Sequence, residues 1–579
     1  MWLDRLVIAA ALVGCTRLPA TGGTGSDGGG SGSDGGLTAC AQPATCSAWN
    51  VVSRCGVEET CAGGCFAGEC RSDACADECG LDEVGPHGTC RLWDLAEKAF
   101  VSANPNASLH DRARDYDRMM RLHHLPEGGV AGVIYTDESR TQVESYDGIV
   151  DSALWTGTQL AAQSWRHLAT RSADSAARIA ALASTLHLWF NVSGDPAFLA
   201  RFAAPEGSTL VPMDCSRRVI HCNAQFEGQQ YRWRGDTSRD QYTGWILGVW
   251  FAYAATPDET LRAKLRSDVL ELIGELMIDR HAVPVRATIN GVPIDTTLDS
   301  KFVILAPQEM TDGRITMSVD TGDLGDAQMD GAREFVPDAG ALLGQLIGFA
   351  PSIPRPGSAM MLGAFYAVAL RMTEDEPALA ARHAAIQADY DAEFERLFAM
   401  ASQSEYNNSC GAKYYGTHIS RIMAYLWTSL ERDPMRSARL VNDVMAPMWP
   451  EVAAHKNVYY AFLNAGARGG FANEVAAHVA QLAQYEPGPR IHVARNGTSE
   501  YPIDNDCGSP SDPYSTVATD VGDRVMDDFM WQRHPWQLVT PRIGTYVHSG
   551  NDFLAAYWLG RFHDLLPDDR AGTCTRWEP

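Results

Sequence analysis

The chain has 579 residues, 45% hydrophobic and 21% charged, with a formal net charge of −25 at pH 7. That is globular composition with material for a large core, and the negative charge, which repels phosphate backbones, argues against nucleic acid as a partner. The sequence contains no His-Glu-x-x-His, Gly-x-Ser-x-Gly or Gly-Lys, which argues against a zincin protease, a standard lipase and a P-loop NTPase.

The first element in chain order is a targeting segment. "MWLDRLVIAAALVGC" places an apolar run, Leu6 to Val13, between Arg5 and a small-residue exit. The run is too short to span a bilayer, and no later one approaches about 18 residues. Leu12-Val13-Gly14-Cys15 resembles the lipobox of bacterial lipoproteins. The resemblance implies that residues 1–15 form a signal peptide with lipobox and that Cys15 is lipidated. Thr16, where inner-membrane retention would use Asp, then implies the outer membrane, with the chain on the envelope's exterior or periplasmic face. The alternative is an ordinary secretion signal that happens to contain Cys. Residues 16–38 are rich in Gly, Ser, Thr and Asp and read as a flexible tether. Gly23, Gly25 and Gly28 formally match a dinucleotide fingerprint, but no strand precedes them and no helix follows.

Residues 39–90 form a Cys-rich module, with nine cysteines between Cys40 and Cys90. A segment this poor in apolar residues needs covalent staples, and export supplies the oxidising compartment. Zinc is the weaker reading, because the closest spacings are Cys61-x3-Cys65 and Cys75-x3-Cys79. Beyond Cys15 the remaining cysteines split nine and five, so complete pairing needs a bridge between the module and the rest of the chain. Cys215 and Cys222 are near enough in sequence to close a short loop of their own.

Residues 91–579 read as mainly α-helical. "DSALWTGTQLAAQSWRHLAT" and "ADSAARIAALASTLHLWFNV" keep apolar residues at helical spacing, and "TGWILGVWFAYAA" is apolar nearly all round. Further helices are expected at 338–350, 357–373, 376–401, 416–431, 434–447, 455–466, 472–486 and 550–566, with a β-rich insertion at about 283–336. "WTGTQLAA" at Trp155 and "YTGWILGV" at Tyr242 echo one another. Hairpins of this kind bury their inner helices by stacking, so the expected fold is an (α/α)6 toroid of helical hairpins, with an α-solenoid as the alternative. The helix pairs, the 15 tryptophans and the charged helix openings resemble the six-hairpin glycosidase-like superfamily over about residues 130–566. That resemblance implies a toroid hosting glycoside hydrolase or polysaccharide lyase chemistry; fold alone does not choose.

Candidate chemistry gathers at the helix openings. Asp236, Arg239 and Asp240 precede Tyr242-Thr243-Gly244, and Asp147 and Asp151 precede Trp155-Thr156-Gly157. Glycines there permit close approach by a ligand or another backbone. If both helices are inner ones, Asp151 and Asp240 share a rim, with Asp236 as a substitute; two carboxylates about a sugar-sized gap are what glycosidic hydrolysis requires. Trp155, Trp233 and Trp245 are the expected sugar platforms, with Arg239, Tyr242, Tyr414, His418, His534 and Trp536 as further substrate contacts. Tyr414, Tyr415 and His418 equally suit a lyase base. "DDFMWQRHPWQL" and "VHSGNDFLAAYWLGRFHDLL" add Asp527, Asp528, Trp531, Arg533, His548 and Asp552. The competing reading makes these Asp residues helix caps or ion pairs and the indoles core. No metal or other cofactor is expected, except that calcium would suit the acidic run Asp320, Asp323, Asp326, Asp330, Glu334 and Asp338. Its spacing is not that of an EF-hand, and a solvated loop is the plainer account. The expectation is therefore a surface-anchored glycoside hydrolase acting on a polysaccharide or oligosaccharide, touching the membrane only through its lipid. The alternatives are a polysaccharide lyase or a non-catalytic surface lipoprotein that binds glycan or protein.

Overall fold

Gly157, Gly244 and Gly248 let two helices pack backbone to backbone. In the computed structural model Gly157 lies on helix α2 (Ser152–Thr170) and the other two on α4 (Arg239–Ala255). A Cβ on Gly157 would collide with the Gly244 carbonyl, one on Gly244 with the Leu154 carbonyl, and one on Gly248 with the Gly157 carbonyl. The two echoing helices therefore meet backbone to backbone, which only glycine permits. Gln241 adds a polar tie, accepting a hydrogen bond from Leu154 N at 3.1 Å.

The structure describes residues 45–48, 51–54, 57–60, 65–66, 69–70 and 109–566, apart from 280, 320–327, 348–349, 404–413, 470–471 and 487–488. The signal peptide, Cys15 and the tether lie outside these residues, as do Asp320, Asp323 and Asp326. Of the Cys-rich module, Thr45–Ala48, Val51–Arg54 and Val57–Thr60 form an antiparallel sheet, and Cys65–Phe66 pairs with Glu69–Cys70. Cys215 and Cys222 form a disulfide.

The remaining helices are α1 (Leu109–His123), α3 (Ala173–Asn191), α5 (Glu259–Leu276), α6 (Ala339–Ile347), α7 (Pro356–Thr373), α8 (Ala380–Ala401), α9 (Tyr414–Leu430), α10 (Pro434–Arg439), α11 (Val458–Arg468), α12 (Ala472–Leu482) and α13 (Asn551–Phe562). Helix α2 packs on α3, α4 and α13, α9 on α7 and α11, and α11 on α12 and α13. Trp165, Trp189, Trp233, Trp245, Trp427, Trp531 and Trp558 are fully buried in the shared core.

The expected mainly α, six-hairpin toroid is overturned. Helix makes up 50% of the structure and strand 19%, in several small sheets, so the architecture is mixed α/β with no clear toroid. The physical reasons are visible in the elements. Several connections to which no element was assigned from sequence carry sheets: 202–205, 220–226 and 229–234 form one between α3 and α4, and further short strands fall between α12 and α13. The region expected to be β-rich carries a four-stranded sheet in which Val285–Ile289 pairs in parallel with Ile315–Val319. The hairpins are also unequal. Helix α10 has six residues and passes into a π-helical turn, and α4 touches α9 directly as well as α7.

One sheet matters most for the site. Arg490–Ile491, Tyr546–His548, Gly132–Tyr135 and Val143–Asp147 lie side by side, joining distant parts of the chain.

Candidate functional site

Both glycine-paired helices begin directly after a strand. Val143–Asp147 runs into Gly148 and a 3-10 turn, Ile149–Asp151, before α2; Gln229–Arg234 runs through Asp236 into α4. Gly148 (φ 77) and Asp236 (φ 55) take the left-handed backbone these sharp turns require. Arg201, which sequence reasoning missed, ties the turns together. Its Nε donates to the Asp236 carbonyl at 2.6 Å, Nη1 to the Asp151 carboxylate at 3.1 Å, and Nη2 to Ser238 Oγ at 2.9 Å.

Asp151 makes no capping hydrogen bond to its own helix. It accepts instead from Arg201 and, at 3.0 Å, from Gln241 Nε2, so an ion pair accounts for part of its environment. Burial, then the charge of Asp240, outweigh these partners and push the carboxyl up to about 6; Asp528 adds to the rise. The side chain stays 40% exposed, so solvent and a ligand can reach it. Asp240 opens α4 and accepts from Gln241 N at 3.1 Å. Asp236 belongs to a different group: its carboxylate lies 3.5 Å from Arg333 and its backbone N–H donates to Glu309. Arg239 donates to Ser358 Oγ at 2.7 Å and lies 3.8 Å from Glu334.

The indole platforms need correction. Trp233 is fully buried and stacks on His221 at 4.0 Å, and Trp245 is fully buried against Phe190 at 4.7 Å. Neither has a face to offer a sugar; both pack the core because they sit on helix and strand faces turned inward. Tyr242 is likewise core, its hydroxyl donating to the Ala197 carbonyl and accepting from Leu199 N. Trp155 is buried too, stacked on Phe529 at 4.7 Å.

His418 joins this aromatic group, 5.1 Å from Phe529, 5.9 Å from Tyr459 and 6.1 Å from Trp155 between ring centres. It is fully buried, and neither nitrogen has a hydrogen-bond partner among the described residues; nor does the Tyr459 hydroxyl. Burial pushes the imidazole down to about 3, so it is neutral at any working pH. Tyr414 is occupied, with its hydroxyl 3.3 Å from both His455 Nδ1 and Asn457 Nδ2. His534 and Trp536 remain half-buried and stack on each other at 5.8 Å, and Tyr514 lies tilted against His534 at 4.7 Å. With Arg239, His534 and Trp536 are the predicted contacts that retain accessible surface.

A third group lies on the four-stranded sheet. Asp528 Oδ1 accepts from Tyr546 OH at 2.5 Å and lies 3.1 Å from His548 Nδ1. His548 Nε2 lies 3.0 Å from His492 Nδ1, and His492 Nε2 lies 3.1 Å from Thr540 Oγ1. Burial acts to raise Asp528, but the hydrogen bond and charge of His548, then Tyr546, hold it below the usual carboxylate range. Burial, then His548, pushes His492 down to about 4. Asp527 shifts the other way, raised by burial against the pull of Arg533, 3.0 Å away. Asp552 is structural: fully buried, it pairs with Arg490 and accepts from Met530 N at 3.0 Å.

The structure thus links Asp151, Asp240 and Arg201 at the openings of α2 and α4. Asp528 acts electrostatically on Asp151, and Phe529, the next residue, stacks on Trp155. The described acids of the candidate calcium run have protein partners: Asp330 pairs with Arg218, Glu334 with Arg355, and Asp338 accepts from Gly340 N and Ile353 N. Among the described residues no group of three or more His, Cys, Asp or Glu is placed to hold a metal ion, and no helix is long and apolar enough to cross a membrane. No family model matches the chain, and neither a curated protein nor a solved structure is significantly similar to it.

Proposed function

We propose that this protein is a carbohydrate-active enzyme that hydrolyses glycosidic bonds, anchored to the envelope through Cys15. The observation that carries the reading is Asp151: a carboxyl raised to about 6 beside a second carboxylate, yet reachable by solvent. Such a group holds its proton near neutrality and can deliver it to a leaving glycosidic oxygen, while an ionised neighbour attacks or activates water. Environments that push two carboxyls apart define an acid and its partner. Arg201 and Gln241 fix the Asp151 oxygen in place.

Incubating the full chain with starch, cellulose, xylan, mannan, chitin and pectin and measuring new reducing ends tests this. Asp151→Asn is expected to lower the rate by about 10²–10⁴-fold. Release of reducing ends that this substitution leaves untouched discredits the assignment.

A lyase is favoured by one observation, the buried neutral His418 facing Tyr459, with no hydrogen-bond partner for the ring nitrogens or the hydroxyl among the described residues. An unsaturated uronic product, seen by its ultraviolet absorbance and abolished in Tyr459→Phe, would select that reading over hydrolysis.

A further inference from the structure

We propose that Asp528 is the nucleophilic carboxylate of this site, working opposite Asp151; the assignment rests on the hydrolase reading above. Its position comes first. Gly148 begins the turn that presents Asp151, whose backbone N–H donates to the Gly148 carbonyl at 3.0 Å. The missing Cβ of Gly148 would lie 3.1 Å from Asp528 Oδ2. A side chain there would cover that oxygen; glycine leaves it bare. Asp528 is therefore split in function between its two oxygens. Oδ1 is held by Tyr546 and His548, while Oδ2 faces the loop that carries the proton donor.

Two hydrogen-bonding groups, Tyr546 and His548, stand behind Oδ1. A carboxylate only accepts, so His548 Nδ1 carries the proton. Behind it His548 Nε2 stands 3.0 Å from His492 Nδ1, and His492 Nε2 stands 3.1 Å from Thr540 Oγ1. Tyr546 OH and His548 Nδ1 both meet Oδ1, and these two contacts favour the ionised form of Asp528. Arg490 and the more distant His124 also face it electrostatically, with Asp527 and Asp151 as the opposing charges. Asp240 has no comparable relay. Its Oδ1 takes Gln241 N of its own helix, and its charge acts to keep Asp151 protonated.

The chemistry balances without a cofactor. Asp528 Oδ2 bonds to the anomeric carbon as the bond from that carbon to the leaving oxygen breaks. The electron pair goes to that oxygen, which takes the Asp151 proton. Water then bonds to the anomeric carbon, gives a proton back to Asp151, and the ester bond to Asp528 breaks with its electron pair returning to the carboxylate. His548 and Tyr546 are positioning residues that stabilise the departing carboxylate.

The test uses the full chain on whichever polysaccharide of the same panel it cleaves. The wild-type product is expected to keep the anomeric configuration of the substrate. Asp528→Ala is expected to fall at least about 10³-fold and to recover with sodium azide, giving a glycosyl azide of opposite configuration. Azide is expected to do nothing for Asp240→Ala. Asp528→Asn, which keeps an acceptor for Tyr546 and His548, serves as the folding control by thermal melt. An inverted wild-type product, an Asp528→Ala rate within tenfold of wild type in a folded protein, or azide rescue of Asp240→Ala overturns the proposal alone. No cleavage of any panel member by the wild type overturns the hydrolase reading, and this proposal with it.

Discussion

Asp151 pits burial and two like charges against one arginine and one amide, and burial prevails. The consequence for stability has a definite sign. A carboxyl raised from 3.8 to about 6 is fully compatible with the fold below the lower value and opposes it increasingly as pH rises through the window between them. Asp151→Asn, neutral at every pH, is therefore expected to melt higher than wild type at pH 7, with the gain disappearing below about pH 4. A melting series across that range checks it; a loss of stability at pH 7 would mean that the Arg201 pair dominates. His418 has the opposite sign. A buried imidazole pushed to about 3 opposes the fold only when protonated, so its cost is felt as pH falls below its ordinary 6.5. Since its ring nitrogens have no hydrogen-bond partner among the described residues, His418→Leu is expected to leave the melting temperature unchanged or raise it, measured by calorimetry. Residue types at the helix openings were legible as acids among aromatics. Their roles were not: a sequence does not show that Trp233 and Trp245 face inward, or that Arg201, far from either helix opening, reaches both.

The glycine contact between α2 and α4 was readable as an aromatic-Thr-Gly echo, because only glycine allows two helices so close. Gly157→Ala is expected to cost about 3 kcal/mol by denaturant titration, since the new methyl meets a backbone carbonyl that no rotamer change can move. The buried Arg490–Asp552 pair fastens a strand of the central sheet to α13, and Asp552→Ala is expected to cost about 3–5 kcal/mol because it strands the guanidinium. Most helices lie within a few residues of where their 3.6-residue periodicity puts them; α7, expected at 357–373, spans Pro356–Thr373. The short strands were not legible. Arg490–Ile491 and Tyr546–His548 have two and three residues, too few for an alternating pattern, and their pairing is non-local. The His492–His548–Asp528 chain depends on that pairing, so its members were visible only as scattered polar residues.

At the scale of the whole molecule, the sheets between the helices turn an expected toroid into a mixed α/β body, and the chain carries a net charge of −25. A polyanionic glycan is repelled by that field, so its cleavage is expected to rise with salt, whereas cleavage of a neutral glycan is expected to be nearly salt-independent. The central claim, that Asp151 carries a proton near neutrality, is tested most directly by titrating its carboxyl carbon in ¹³C-aspartate-labelled protein, with Asp151→Asn to assign the signal. A midpoint at about 6 is expected. A midpoint at or below the ordinary 3.8 would show an ionised, Arg201-paired carboxylate with no proton to give.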